Sequence, residues 1–211
     1  MNDVFEVINR YGKMMTSQGY PVGDAAMMVI ETEEGVFSTK AGADLSNLTE
    51  EDIEKKYMKE LPVPRNDMKA LVYSQTPYLT RCLKEAKPFP AMIDDMAQII
   101  GPMCYIVDGR DKNKAKGKSM KKAMKHNSGC MVLRGVNSKG EGVGYTLTAG
   151  RNLYEAIVAM AVLEKSAEIY YLTQKLGGGY PISKNEARLM KALYKGKYSK
   201  TEETVRTAEV R

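Results

Sequence analysis

Gly150-Arg-Asn-Leu-Tyr-Glu-Ala-Ile157, running on to Gln174-Lys-Leu-Gly-Gly-Gly179, is the longest uninterrupted helix signal in the chain. Asn152 can cap its first turn, and Glu155 stands three residues later, where it can answer the Asn152 backbone N–H. Leu153, Ile157, Met160, Ala161, Glu164, Ala167, Ile169, Tyr170, Leu172 and Leu176 recur mostly at three- and four-residue spacing. One broad face is therefore apolar, as in a core helix. Gly177 to Gly179 end it, because glycine takes the left-handed position after a helix without a Cβ penalty.

What packs against this helix lies upstream. The chain has 211 residues, enough for a sizeable core in one large domain. Its apolar set is aliphatic with 15 Met, only 3 Phe and no Trp, which suits an ordinary interior. The first residues carry no apolar signal core, and no stretch reaches the roughly 18 apolar residues of a membrane span. Cys82, Cys104 and Cys130 are odd in number and lack metal-ligand spacing, so reduced thiols and a cytoplasmic setting are expected.

The net charge of +6 is unevenly spread. Residues 1–60 hold 6 Lys/Arg against 12 Asp/Glu, whereas Arg110 to Lys125 holds 8 Lys/Arg against Asp111 alone. Such a run can meet phosphates, but it contains no aromatic residue for base stacking. It reads as a solvated loop leading into a helix, and nucleic acid is not the expected partner.

From the N-terminus, Asp3 to Ser17 has the stripe of an amphipathic helix. Ala25 to Thr32 and Gly35 to Thr39 read as a β-hairpin. Thr39-Lys-Ala-Gly42 is a turn, and Thr49 opens a charged helix from Glu50 to about Lys59, before Pro62 and Pro64. Met68 to Ser74 is a strand, with Pro77 at the first turn of the next helix. Ile93 to Ile100 is a short helix, and Met103 to Val107 a strand. Ser119 to His126 is a basic helix; Cys130 to Arg134 and Tyr145 to Ala149 are strands around a glycine-rich loop from Gly135 to Gly144. Ser183-Lys-Asn-Glu186 is a capping box that starts a last helix. The order argues for one α/β domain over 1–198, a three-layer α/β/α arrangement with a mainly antiparallel central sheet. Residues 199–211 lack apolar anchors and are expected to fray.

These elements, in this order, resemble the class II aldolase/adducin family, which includes fuculose-phosphate aldolases and ribulose-phosphate epimerases. Gly150-Arg-Asn-Leu-Tyr-Glu-Ala, Leu163-Glu-Lys-Ser-Ala and Leu176-Gly-Gly are similar to the family's C-terminal helix motifs. Ser38-Thr-Lys-Ala-Gly42 resembles its Thr-Pro-x-Gly turn. Arg65-Asn-Asp-Met-Lys-Ala-Leu-Val-Tyr-Ser-Gln-Thr-Pro-Tyr78 resembles its Arg-Pro-Asp segment leading into a His-x-His pair.

The resemblance implies a class II aldolase-like fold, a cyclic homotetramer, and zinc held by that His pair and a third, downstream His. Here Tyr73 and Gln75 occupy the pair, and the third position falls at Arg134-Gly135 or Gly144-Tyr145. The chain's single His, His126, lies elsewhere, and zinc requires neutral imidazole or comparable donors. No metal or other cofactor is therefore expected. The family's acid/base Glu falls near Glu54, which can equally be one of several exposed acids on a charged helix.

For binding, the resemblance carries over Thr39, Lys40 and Gly42 as an anion-holding turn, while Gly23-Asp24-Ala25-Ala26 places a carboxylate where the family has an amide. Tyr73, Gln75 and Tyr78 are expected around the former metal cavity. Two functions remain open: a non-lyase binding or regulatory homologue holding a small anionic, sugar-phosphate-like metabolite, or an active aldolase or epimerase with a different site. The second needs an electron sink such as a desolvated lysine. No Lys sits in an apolar segment; Lys69, beside Ala70, is the nearest.

Overall fold

The computed structural model of the chain describes residues 2–19, 26–56, 65–110 and 115–209. In chain order the elements are α1 (Asn2–Ser17), β1 (Met27–Thr32), β2 (Gly35–Thr39), β3 (Ile53–Lys56), β4 (Ala70–Ser74) and α2 (Pro77–Lys84). They continue with β5 (Phe89–Pro90), a π-helix (Met96–Ile100), β6 (Met103–Asp108), α3 (Ala115–Met124), β7 (Gly129–Val136) and β8 (Gly142–Gly150). The long α4 (Leu153–Lys175) and α5 (Lys184–Glu209) close the series.

The eight strands form one sheet in the order β3-β2-β1-β4-β8-β7-β6-β5. Every pair is antiparallel except β6 with β7, whose connection runs through α3. A parallel pair needs such a crossover, whereas a tight turn suffices between β1 and β2.

Alternation along the strands splits the apolar residues between two faces. On one face Met28, Ala70 and Val72 pack with Val4 and Ile8 of α1 and Leu153 and Ile157 of α4. Further along it, Met131 and Cys104 meet Leu79 of α2, Leu163 of α4 and Ala187 of α5. On the other face Val29, Leu71, Cys130, Val132 and Leu147 pack with Ala123 and Met124 of α3. This is the expected three-layer α/β/α domain with a mainly antiparallel sheet. Helix α4 is its spine, since it supplies residues to both clusters on its face.

Several local expectations change. The helix expected from Glu50 to about Lys59 is not formed over Glu50 to Lys56, where one 3-10 turn, Glu50–Asp52, gives way to edge strand β3, which pairs with β2 from Ile53↔Thr39 to Lys56↔Val36; residues 57–59 lie outside the described residues. The segment has no apolar stripe to bury as a helix, and the open backbone of β2 decides its conformation. The glycine-rich stretch is a loop only from residue 137 to 141, because β7 and β8 extend to Val136 and Gly142. Glycine is needed there: a Cβ on Gly144 would overlap the Val132 carbonyl oxygen.

The Ile93–Ile100 helix winds as a π-helix over Met96–Ile100. At the end of α4, Leu172 and Leu176 are exposed, although they continue the apolar stripe. Helix α5 runs on to Glu209, past the point where a tail was expected. No described helix is long and apolar enough to cross a membrane.

Candidate functional site

The register divides the sheet into two ends with different chemistry. Tyr73 and Gln75 stand where β4 finishes, the end where β2 also finishes and β8 begins. Tyr73 packs its ring against Tyr145 at 5.3 Å between centroids. Burial, then the neighbouring Tyr145 and Cys130, push the Tyr73 pKa up to about 12. The Gln75 side-chain amide donates to the Gly144 carbonyl at 2.8 Å. The Arg134 guanidinium lies 6.0 Å from the Tyr145 ring centroid. Tyr73, Arg134 and Tyr145 thus stack against one another, and Gln75 beside them is bonded to the backbone.

Thr39, Lys40 and Gly42 lie at this same end. The Thr39 hydroxyl is buried and accepts the Met28 N–H at 3.1 Å. Lys40 and Gly42 are exposed; Gly42 has φ +79°, and the Ala43 N–H closes the turn onto the Lys40 carbonyl at 3.3 Å. Only glycine takes that φ without strain, so the turn accounts for Gly42 by itself. Residues 23–25, where Asp24 stands in place of the family's amide, lie outside the described residues. Glu54 sits on β3 opposite Ser38 and is ion-paired with Lys56. Ser38 and Ser74 keep buried hydroxyl oxygens with no partner.

Tyr78 does not join Tyr73 and Gln75. It packs with the α2–α4 cluster, its ring 6.1 Å from Tyr171 and 5.2 Å from the Arg81 guanidinium. Its backbone N–H leads instead to Glu164, a residue of the α4 stripe whose partners no local pattern names. Glu164 of α4 is buried and accepts the Thr76 hydroxyl at 2.5 Å, the Tyr78 N–H at 2.8 Å and the Leu79 N–H at 3.0 Å. A carboxylate at the first turn of α2 satisfies orphan donors and complements the helix dipole.

The opposite end, where β4 starts and β8 finishes, holds a cavity of about 430 Å³. Arg65 and Asp67 lead into it from before β4, Arg151 and Glu155 from the start of α4, and Lys191 and Lys195 from α5. Asp67 takes Arg65 in a two-pronged bond at 2.9 and 2.5 Å and Lys195 at 3.0 Å. Those hydrogen bonds hold its carboxyl well below the usual range, against the effect of burial. Glu155 accepts the Arg151 N–H and Nε, each at 2.7 Å, so it answers Arg151 where Asn152 was expected. Asn152 itself caps α4 by accepting the Glu155 N–H at 2.9 Å.

Lys191 is buried. Its Nζ donates to the carbonyls of Ile99 and Ile100 at 2.9 and 2.5 Å and to the Ser128 hydroxyl at 2.8 Å. It therefore caps the end of the π-helix with a charge. Burial pulls its pKa down, and Arg65 and Lys195 add to that pull. The sequence signal was present: Lys191 lies four residues after the fully buried Ala187, on the inward face of α5. Lys69, the lysine singled out from sequence, is instead exposed and ion-paired with Glu31.

The family model for the Class II Aldolase and Adducin N-terminal domain matches residues 56–171, more than half the chain. The chain belongs to this family. Among solved structures it is similar to an L-fuculose 1-phosphate aldolase, with TM-score 0.74 and 21% identity over 92% of this chain and 97% of that one. The L-fuculose-1-phosphate aldolase from Thermus thermophilus matches with TM-score 0.64 and 18% identity, covering 87% and 100% of the two chains. A sugar-phosphate aldolase from Thermotoga maritima gives TM-score 0.57 and 14% identity over 84% and 99%. At these identities the likeness shows the fold. No curated protein matches the sequence.

Within the class II aldolase fold, the donor set at the end of β4 does not suit zinc. Tyr73 would have to ionise against a raised pKa, Gln75 is turned onto Gly144, and Arg134 adds a cation. Among the described residues no three His, Cys, Asp or Glu side chains are grouped to hold a metal ion. His126 does not make up the set: it is a single imidazole, and the nearby Arg188, Lys125, Arg65 and Lys191 bring positive charge where a zinc ion would need anionic or neutral donors.

Proposed function

We propose that this class II aldolase-type chain is a non-lyase binding or regulatory homologue that holds a small anionic, sugar-phosphate-like metabolite. The observation that carries the reading is the self-contained set at the end of β4. The Tyr73–Tyr145 ring pair and the Gln75–Gly144 bond occupy the positions where the resemblance places imidazoles. Zinc-enolate chemistry needs neutral nitrogen donors with free lone pairs there, and these side chains offer none. Thr39, Lys40 and Gly42 at the same end keep one turn and one positive charge for an anion. Exposed Leu172, Leu176, Tyr180, Leu189 and Leu193 favour assembly into a homo-oligomer, a tetramer by family resemblance.

The test is elemental analysis of the purified protein together with an aldol-cleavage assay on fuculose 1-phosphate in added zinc. The expected result is substoichiometric zinc and no cleavage. Stoichiometric zinc lost on substituting Tyr73 or Gln75, or zinc-dependent cleavage, overturns the reading.

Lys191 favours a second reading, a lysine-dependent aldolase or epimerase, because it is buried beside a cavity. A Schiff base requires a neutral amine with a free lone pair, however, and three acceptors hold the Lys191 protons in place. Borohydride treatment with a carbonyl substrate is expected to leave Lys191 unmodified by mass spectrometry.

A further inference from the structure

We propose that the cavity at the start of β4 binds a small organic dianion, a phosphate monoester or a dicarboxylate, with its charge toward Lys191 and Lys195. The volume of about 430 Å³ falls in the range of small-molecule pockets. Four cations line it, Arg65, Arg151, Lys191 and Lys195, against two carboxylates, Asp67 and Glu155, an excess of two positive charges.

The excess is localised. Glu155 is committed to Arg151, and Asp67 is shared between Arg65 and Lys195. The Lys191 ammonium is held by two carbonyls and a hydroxyl, all neutral. Those three acceptors favour its protonated form against the burial that lowers its pKa, so the ammonium adds a positive field to the cavity and leaves hydrogen bonding to the ligand to Lys195 and the arginines.

Shape and rigidity add to charge. Met68, Ala149 and Val158 give the wall an apolar part for the body of a ligand. Gln98 and Ile99 come from the π-helix, a winding found often at functional sites, and Lys191 ties that helix to α5. The site lies at the opposite end of the sheet from Tyr73 and Gln75. It therefore goes beyond the non-lyase reading and does not depend on it.

Titration calorimetry with sn-glycerol 3-phosphate, with succinate and with glycerol as the neutral control tests the proposal, irrespective of zinc content. Saturable binding of at least one dianion is expected, weakening as salt rises, with no heat from glycerol. The dianion that binds more tightly identifies the headgroup class. Val158→Phe, which fills the cavity, is expected to abolish binding, and Lys195→Gln to weaken it several-fold. Lys87→Ala, an exposed lysine that does not line the cavity, is expected to leave it unchanged. Lys195→Gln alters a half-exposed side chain, so it decides the matter even if Val158→Phe does not fold. No binding of either dianion at millimolar concentration, wild-type affinity in Lys195→Gln, or loss of binding in Lys87→Ala overturns the proposal.

Discussion

Asp67 is the residue on which the charged wall of the cavity turns, since it holds Arg65 and Lys195 together. Its carboxyl binds a proton less readily folded than unfolded, chiefly through the Arg65 hydrogen bonds. The stability it contributes is therefore complete above its unfolded pKa of about 3.9 and is lost as pH falls through the lower folded value. Asp67→Asn should unfold at lower urea concentration than wild type at pH 7. The gap between the two should narrow as the measurement is moved below about pH 3.9. At this scale the sequence exposed one half of the site. The replacement of imidazole by Tyr73 and Gln75 was legible in the order of residues, but not the partners that close around them. Tyr145 and Gly144 are some seventy positions away, and only the β4–β8 register sets them beside Tyr73 and Gln75.

Among the elements, α2 shows how a buried charge is tied to local structure. Its Thr76, Tyr78 and Leu79 donors all end on Glu164 of α4. Glu164→Gln keeps the size but removes the charge and turns donors toward donors. It should lower the unfolding free energy by about 2–3 kcal/mol, the range for hydrogen bonds to a charged group, as measured by urea denaturation. The acid was visible in the sequence as a charged residue within an apolar stripe, yet nothing local named its partner. The helices with caps and stripes, α1 and α4, were readable because their signals lie within a few residues. Strand β3 was not, because Ile53 to Lys56 takes its conformation from β2.

For the molecule as a whole, α4 joins the two clusters on its face of the sheet, Ile157 in one and Leu163 in the other. If that shared helix makes the domain one cooperative unit, Ile157→Ala and Leu163→Ala should each cost about 2–5 kcal/mol. Each should also keep a single transition, coincident by circular dichroism and tyrosine fluorescence; a biphasic curve in either variant would show two independent units.

By itself the sequence determined the α/β class, the family resemblance through the α4 motifs, and the replacement of the expected imidazoles, because each depends on residue identity and short-range spacing. The tertiary structure decided that Tyr73 and Gln75 are closed in by Tyr145 and Gly144. It also decided that the cavity lies at the other end of the sheet, around a buried Lys191. A cavity belongs to no single segment. Its walls come from the chain before β4, the π-helix, α4 and α5, and only sheet register and helix packing bring them together. Helix α4 belongs to both, its motifs marking the family by short-range spacing and its buried face joining the two core clusters by packing.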